Sequence, residues 1–245
     1  MVVAPVCKGI LTLAALAILQ SVLSPPHKPQ TKERYEPSLL VTRGLPIFLL
    51  LSKIISCSWG VIEAAAALAG SDLCPSPIRK WFVTLLVHSP SPRQSITQAG
   101  TLSPAFLSGI CLTIAGSLLR RRCYHVLGRL FTFELSIREG HKLITSGPYS
   151  IVRHPSYTGC VFIHVGQILV LFDDHSWLVA CSGLLPVDGD TMMRILWATR
   201  VLLLSAGYVW TIRINNEDAM LEKSFGKEWT KWTEKVPYRL FPGIY

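Results

Sequence analysis

The sequence predicts an all-α, multi-span transmembrane protein, with about five spans plus a partial or hairpin helix. Three observations predict it. Charged residues make up only 16% of the chain, where a soluble domain carries about 25%. Half of the residues are apolar, and mean hydropathy is +0.39. The apolar residues gather into runs near the roughly 20 residues that cross a bilayer core. Scarce charge is what lipid contact demands, because a charged side chain at the centre of a span costs roughly 2.5–3.5 kcal/mol on insertion scales.

The first apolar run is Val2–Leu23. Its one base, Lys8, lies inside the run and no small-residue cleavage site follows, so it reads as an uncleaved span rather than a signal peptide. Residues 24–38 are polar and proline-rich, hence a loop. The second span lies within Leu45–Ala69 and contains Lys53 and Glu63. Such residues must snorkel, pair or face the protein interior. Residues 70–101 form a connector rich in Pro and Ser, in which Trp81–Val87 is apolar but too short to span and suits the membrane interface. The third span, Leu102–Leu119, is closed by Arg120, Arg121 and Arg122.

No spanning run occurs between Cys123 and Tyr157. Gly159–Phe172 is barely long enough to cross; a polar Asp173-Asp174-His175-Ser176 break and the short apolar piece Trp177–Val187 follow. A bent span plus a partial helix, or a helical hairpin, fits that pattern. The last span is Ile195–Ile212, and the tail from Arg213 to Tyr245 is polar and aromatic. There is no internal repeat. The chain divides into residues 1–119, membrane helices and connectors, and residues 120–245, which carry the unusual polar motifs.

The net charge is +9. The basic residues flank apolar segments instead of interleaving with aromatics on a polar face. That favours anionic headgroups and the cytosolic side of a bilayer over nucleic acid. Arg120–Arg122 places 120–157 in the cytosol, and six Lys and Arg between Arg213 and Arg239 place the tail there too. Two segments remote in sequence can then meet at one membrane face. The seven cysteines form no C-x-x-C pair, which argues against a disulfide framework or a zinc site; they read as small apolar residues. No metal is implied.

Residues 141–159, HKLITSGPYSIVRHPSYTG, are polar for a segment between hydrophobic spans. Two glycines and two prolines fix turns and let backbone approach a ligand closely. His141, Tyr149, Arg153, His154 and Tyr157 are donors and stacking groups suited to an adenosine and an amino-acid carboxylate. Composition equally allows an interfacial loop with aromatic and basic anchors. In the tail, Arg213 and Glu217 are four apart and share a helix face. They form either a surface ion pair worth about 0.3–0.5 kcal/mol or a site where Arg213 offers a bidentate fork to an anionic substrate. There is no G-x-G-x-x-G, no P-loop and no H-E-x-x-H. His164, inside an apolar run, reads as a core histidine.

HKLITSGPYSIVRHPSYTG, followed by Arg213-x-x-x-Glu217-Asp218 and a closing FGKEW, resembles the C-terminal half of isoprenylcysteine carboxyl methyltransferases. The resemblance covers about residues 120–245, and its G-x-Y-x-x-x-R-H-P-x-Y-x-G core is specific. It implies a multi-span helical fold with a cytosol-facing C-terminal pocket for S-adenosyl-L-methionine, in the endoplasmic reticulum membrane. It implies cofactor contacts at Glu134, at His141, Lys142, Leu143 and Ile144, at Tyr149, at His154, Pro155, Ser156 and Tyr157, and at Glu217. It implies a substrate-binding and catalytic role for Arg213, toward the C-terminal carboxylate of an isoprenylated cysteine in CAAX proteins. Asp218 stands where the family usually has a second Glu, and Glu134 where other members carry Gln.

The residue types agree with that chemistry. An α-carboxylate has a reference pKa of about 3.3–3.7 and needs no general base near neutrality. The ending KSFGKEW with VPYRLFPGIY also resembles membrane sterol reductases, which use NADPH, but Arg153-His154-Pro155-Ser156-Tyr157 departs from their pattern. Phospholipid N-methylation shares the donor but takes an amine, which an Arg suits poorly. An inactive membrane scaffold is the non-enzyme alternative.

Overall fold

The computed structural model describes residues 3–27, 33, 45–185 and 190–244, and among these the chain is helical with no strand. The helices are α1 (Val3–Val22), α2 (Leu45–Ala69), α3 (Ser76–Leu86), α4 (Pro92–Ala99), α5 (Pro104–Leu127), α6 (Pro155–Leu171), α7 (Trp177–Ala180), α8 (Thr191–Phe225) and α9 (Lys227–Lys235). By length and composition α1 and Pro46–Ala69 of α2 suffice to cross a membrane. Pro92–Ala99 and Pro104–Leu130, bent by 45°, pass together as a third candidate, and α6 is a shorter apolar helix.

Several elements differ from the sequence reading. The 70–101 connector holds two helices, each with proline in its first turn. There proline's missing N–H costs nothing and its φ is already helical, so these prolines start helices instead of marking loop. The helix of the third span runs through Arg120–Arg122 to Leu127, because Arg is a good helix former whatever its charge. Within Trp177–Val187 only Trp177–Ala180 is helical; Gly183 turns the chain at φ +71°, and residues 186 and 187 lie outside the described residues. Val2 and most of the 24–38 loop lie outside them as well. Helix α8 continues through 35 residues, about 52 Å at 1.5 Å per residue. The start of the polar tail is therefore helical.

The contacts divide the chain into two compact units. The first comprises Met1–Gln20, Lys53–Ile114 and Ile163–Val201. One of its cores joins Ala66 and Ala69 to Val87, Ile96, Ala99, Ala180 and Cys181; another joins Ala15, Phe106, Ile110 and Val170. A Cβ on Gly109 would lie 2.7 Å from the Gly166 carbonyl oxygen, and one on Gly166 2.5 Å from that of Gly109. Glycine at both positions lets α5 and α6 touch backbone to backbone. Glu63 pairs: Lys8 Nζ lies 2.9 Å from its Oε1, and both side chains are at most 1% exposed. Lys8 Nζ also donates to the carbonyls of Ala99 (2.9 Å) and His175 (2.6 Å), and the Trp177 N–H donates to Glu63 Oε2 at 2.8 Å. Two charges in apolar runs thus satisfy each other.

The second unit comprises Ser21–Ser52, Ala115–Phe162 and Leu202–Tyr245. Its core joins Cys123, Phe131, Tyr149, Trp229, Trp232 and Val236, with Leu143, Ile144, Leu221 and Phe225 packed against them. Gly226, at φ +49°, separates α8 from α9, which lets Trp229 and Trp232 fold back into that core. All of the candidate site residues belong to this unit.

Candidate functional site

Pro155 opens α6, where its ring costs no helical hydrogen bond. The residue before a proline is held out of the helical region, which keeps His154 out of α6; Arg153 and His154 lie just ahead of the helix. Their N–H groups donate to the carbonyls of Tyr238 and Arg239, both at 2.9 Å, and Thr158 Oγ1 donates to the Leu240 carbonyl at 2.7 Å. The C-terminal tail is thereby tied to the RHPSY turn.

Helix α8 supplies the other half. Arg213 Nε donates to the Tyr157 hydroxyl at 2.7 Å, and that hydroxyl donates to Glu217 Oε2 at 2.9 Å. Tyr157 thus links a guanidinium to a carboxylate four residues further along α8. Arg213 Nη2 also donates to the Phe133 carbonyl, next to half-buried Glu134, so the 131–135 segment borders the same cluster. One residue beyond Glu217, Asp218 Oδ1 lies 2.7 Å from His154 Nε2, while Asp218 Oδ2 meets Arg239 Nε at 3.1 Å and Arg153 Nη1 at 3.3 Å. His154 Nδ1 faces Glu217 Oε1 at 3.8 Å.

The remaining sequence-predicted residues fall around this cluster. Ser156 presents its carbonyl and hydroxyl to Arg120 Nη1, at 3.1 and 3.2 Å. Leu143, Ile144 and Tyr149 belong to the apolar core beside α9. Tyr149 is buried in the turn Gly147–Ser150; burial first, then the neighbouring Cys123, raises its phenol well above the ordinary value. His141 stacks edge-on to Phe225 with ring centres 5.6 Å apart. Burial and then Arg138 lower its pKa below the usual imidazole value. Lys142 is exposed. Among the described residues no group of three or more His, Cys, Asp or Glu could hold a metal ion.

Sequence reasoning treated Arg120 as a membrane flank, yet it is bonded to Ser156, Cys160 and the Tyr124 hydroxyl. It noted Asp218 only as a like-charged replacement and counted Arg239 only among the basic residues of the tail. Apart from Tyr124, their partners lie tens of residues away, where no local spacing marks them.

The matched sequence region fits this geometry. A sequence profile of the isoprenylcysteine carboxyl methyltransferase (ICMT) family matches residues 109–187. That stretch of the chain is similar to this family. The ICMT match includes the RHPSY turn and ends before Arg213 and Glu217. The chain is 30% identical over 131 residues to protein-S-isoprenylcysteine O-methyltransferase B of Arabidopsis thaliana, covering 53% of this chain and 55% of that one. It is 29% identical over 130 residues to the probable protein-S-isoprenylcysteine O-methyltransferase of Oryza sativa subsp. indica, covering 52% and 56%. It is also 30% identical over 111 residues to a probable 7-dehydrocholesterol reductase of Acanthamoeba polyphaga mimivirus, covering 44% of this chain and 20% of that protein. The chain spans about half the length of the methyltransferases it matches.

Proposed function

We propose that this chain is an isoprenylcysteine carboxyl methyltransferase that methylates the C-terminal carboxylate of isoprenylated cysteine in CAAX-processed proteins, with S-adenosyl-L-methionine as the donor. The observation that carries the reading is the Arg213–Tyr157–Glu217 chain, which puts a cation and a carboxylate on either side of one phenol. The donor set suits the cofactor. Glu217 is 28% exposed and its carboxylate suits an ammonium group, while Tyr149, Leu143 and Ile144 supply apolar surface nearby. When bound, S-adenosyl-L-methionine supplies a methyl group on an activated sulfonium.

The residues have complementary tasks. Arg213 orients the substrate carboxylate through its guanidinium fork. Tyr157 fixes Nε of that guanidinium, so the fork faces one direction. Glu217 and His154 hold the polar end of the donor, joined by Glu134, His141, Lys142, Pro155 and Ser156 from the surrounding segments. The carboxylate is already ionised, so no residue has to remove a proton. Rate comes from orientation, which is worth roughly 7–11 kcal/mol in well-aligned intramolecular reactions, and from excluding water.

Five spans are proposed: α1, α2, α5, α6 and α8, with α7 as the partial helix. The protein works in the endoplasmic reticulum membrane with the site facing the cytosol, where the Arg120–Arg122 cluster is expected by the positive-inside rule. Incubating membranes that express the chain with radiolabelled donor and a farnesylated cysteine analogue tests the activity. Base-labile methyl ester on the analogue is the expected product; its absence, with the chain present and folded, refutes the proposal. The partial similarity to a sterol reductase makes NADPH the control ligand: binding of NADPH but not of the methyl donor favours that chemistry instead.

A further inference from the structure

Glu217 and Asp218 are adjacent on α8 but differ in surroundings. The Glu217 side chain is 28% exposed, whereas Asp218 is 11% and His154 2% exposed. The open carboxylate can meet a ligand; the buried one meets only protein. Its Oδ2 faces the guanidiniums of Arg239 at 3.1 Å and Arg153 at 3.3 Å, and its Oδ1 meets His154 Nε2 at 2.7 Å. A carboxylate flanked by guanidiniums can only accept, so the proton of that bond sits on Nε2. The other ring nitrogen is left turned toward Glu217 Oε1 at 3.8 Å, beyond the 2.7–3.2 Å range of an N–H···O bond. In its neutral form, with the proton on Nε2, the ring presents a lone pair at Nδ1. Two acceptors then face one another, an arrangement that a small polyvalent donor between them satisfies. The Tyr157 hydroxyl already donates to Glu217 Oε2, so the Oε1 side is where such a donor belongs.

We infer that Asp218 is a positioning residue: it sets the tautomer and direction of the His154 ring, and thereby completes, with Glu217, a subsite for the α-ammonium group of the methyl donor. The inference rests on the methyltransferase reading and goes further by assigning one chemical group to one pair of atoms. The neighbouring nitrogen of an imidazole decides what the distal nitrogen offers. Asp218→Asn reverses that decision. Its carbonyl oxygen must face the Arg153 and Arg239 donors, so its amide NH2 turns to His154 Nε2, which becomes the acceptor. The ring proton moves to Nδ1 and points at Glu217. An acceptor for the ammonium is lost, and the carboxylate is drawn into an internal bond.

The test uses the full chain in detergent and two ligands, S-adenosylhomocysteine and its desamino analogue, which lacks only the α-amino group. Binding constants are measured by calorimetry. The wild type is expected to hold the amino ligand roughly 10–100-fold more tightly, the scale of a hydrogen bond to a charged group. Asp218→Asn is expected to lose most of that preference while its affinity for the desamino analogue stays the same, and Asp218→Glu to restore it. An unchanged preference in Asp218→Asn, an equal loss for both ligands, or a wild type that does not discriminate between them overturns the inference and leaves the methyltransferase reading standing. A wild type that binds neither ligand overturns that reading as well.

Discussion

Tyr157 is the residue through which the two halves of the site communicate, since it accepts from Arg213 and donates to Glu217 with a single hydroxyl. Tyr157→Phe keeps the ring and removes both bonds. Each charge-assisted hydrogen bond is worth about 1.5–3 kcal/mol, so kcat/KM for the prenylcysteine analogue is expected to fall at least about tenfold; a change below about twofold refutes the relay. Arg213→Ala separates the roles: methylation is expected to be lost while donor affinity stays within about threefold of wild type. A variant that methylates normally removes Arg213 from the substrate carboxylate. His141 adds a pH dependence. Its folded pKa is depressed by burial and by Arg138, so the unfolded chain takes up a proton at higher pH than the folded one. The stabilisation is therefore present above the ordinary imidazole value of about 6.5 and is lost as pH falls through it. Melting curves between about pH 7.5 and about pH 5.5 are expected to show a smaller acid-induced loss in His141→Gln than in wild type.

At the scale of elements, the legible features were those with a local cause. Apolar runs gave α1 and α2, and the demand that Glu63 find a partner was readable from the cost of a charge in a span. That the partner is Lys8 was not readable, because 55 positions separate them and only packing chooses. Arg213, Tyr157, His154 and Glu217 were expected as site residues from the resemblance, but the way Tyr157 bridges the two charges required coordinates. Arg120 and Asp218 escaped because a flanking base and a like-charged replacement have bland explanations of their own. Prolines misled in the 70–101 connector, since a proline can open a helix as readily as break one. The buried Lys8–Glu63 pair carries its own prediction. Lys8→Met leaves Glu63 as an uncompensated charge among apolar helices, and breaking a buried pair costs about 3–5 kcal/mol. The melting temperature is expected to drop sharply, and adding Glu63→Gln to recover much of it. No recovery in the double variant refutes the pairing as the cause.

At the scale of the whole molecule, orientation in the bilayer decides whether the chemistry has access to its substrate. In the proposed reaction, prenylated termini and the methyl donor are met in the cytosol, and the proposed site draws on residues 131–158 and 213–240. The five proposed spans, beginning outside the cytosol, would put both segments on the cytosolic face and 70–101 on the opposite one. The basic clusters at Arg120–Arg122 and between Arg213 and Arg239 favour that orientation, because translocating Lys and Arg in short loops is disfavoured. N-glycosylation reports lumenal exposure directly. An Asn-Ser-Thr acceptor inserted between Pro90 and Ser91, both exposed, is expected to gain a glycan when the chain is made in endoplasmic reticulum membranes. The same acceptor inserted between Glu139 and Gly140, also exposed, is expected to remain unmodified. The reverse pattern places Tyr157 and Arg213 on the lumenal side, where cytosolic prenylated termini cannot arrive, and the proposed activity fails with it however well the side chains are arranged.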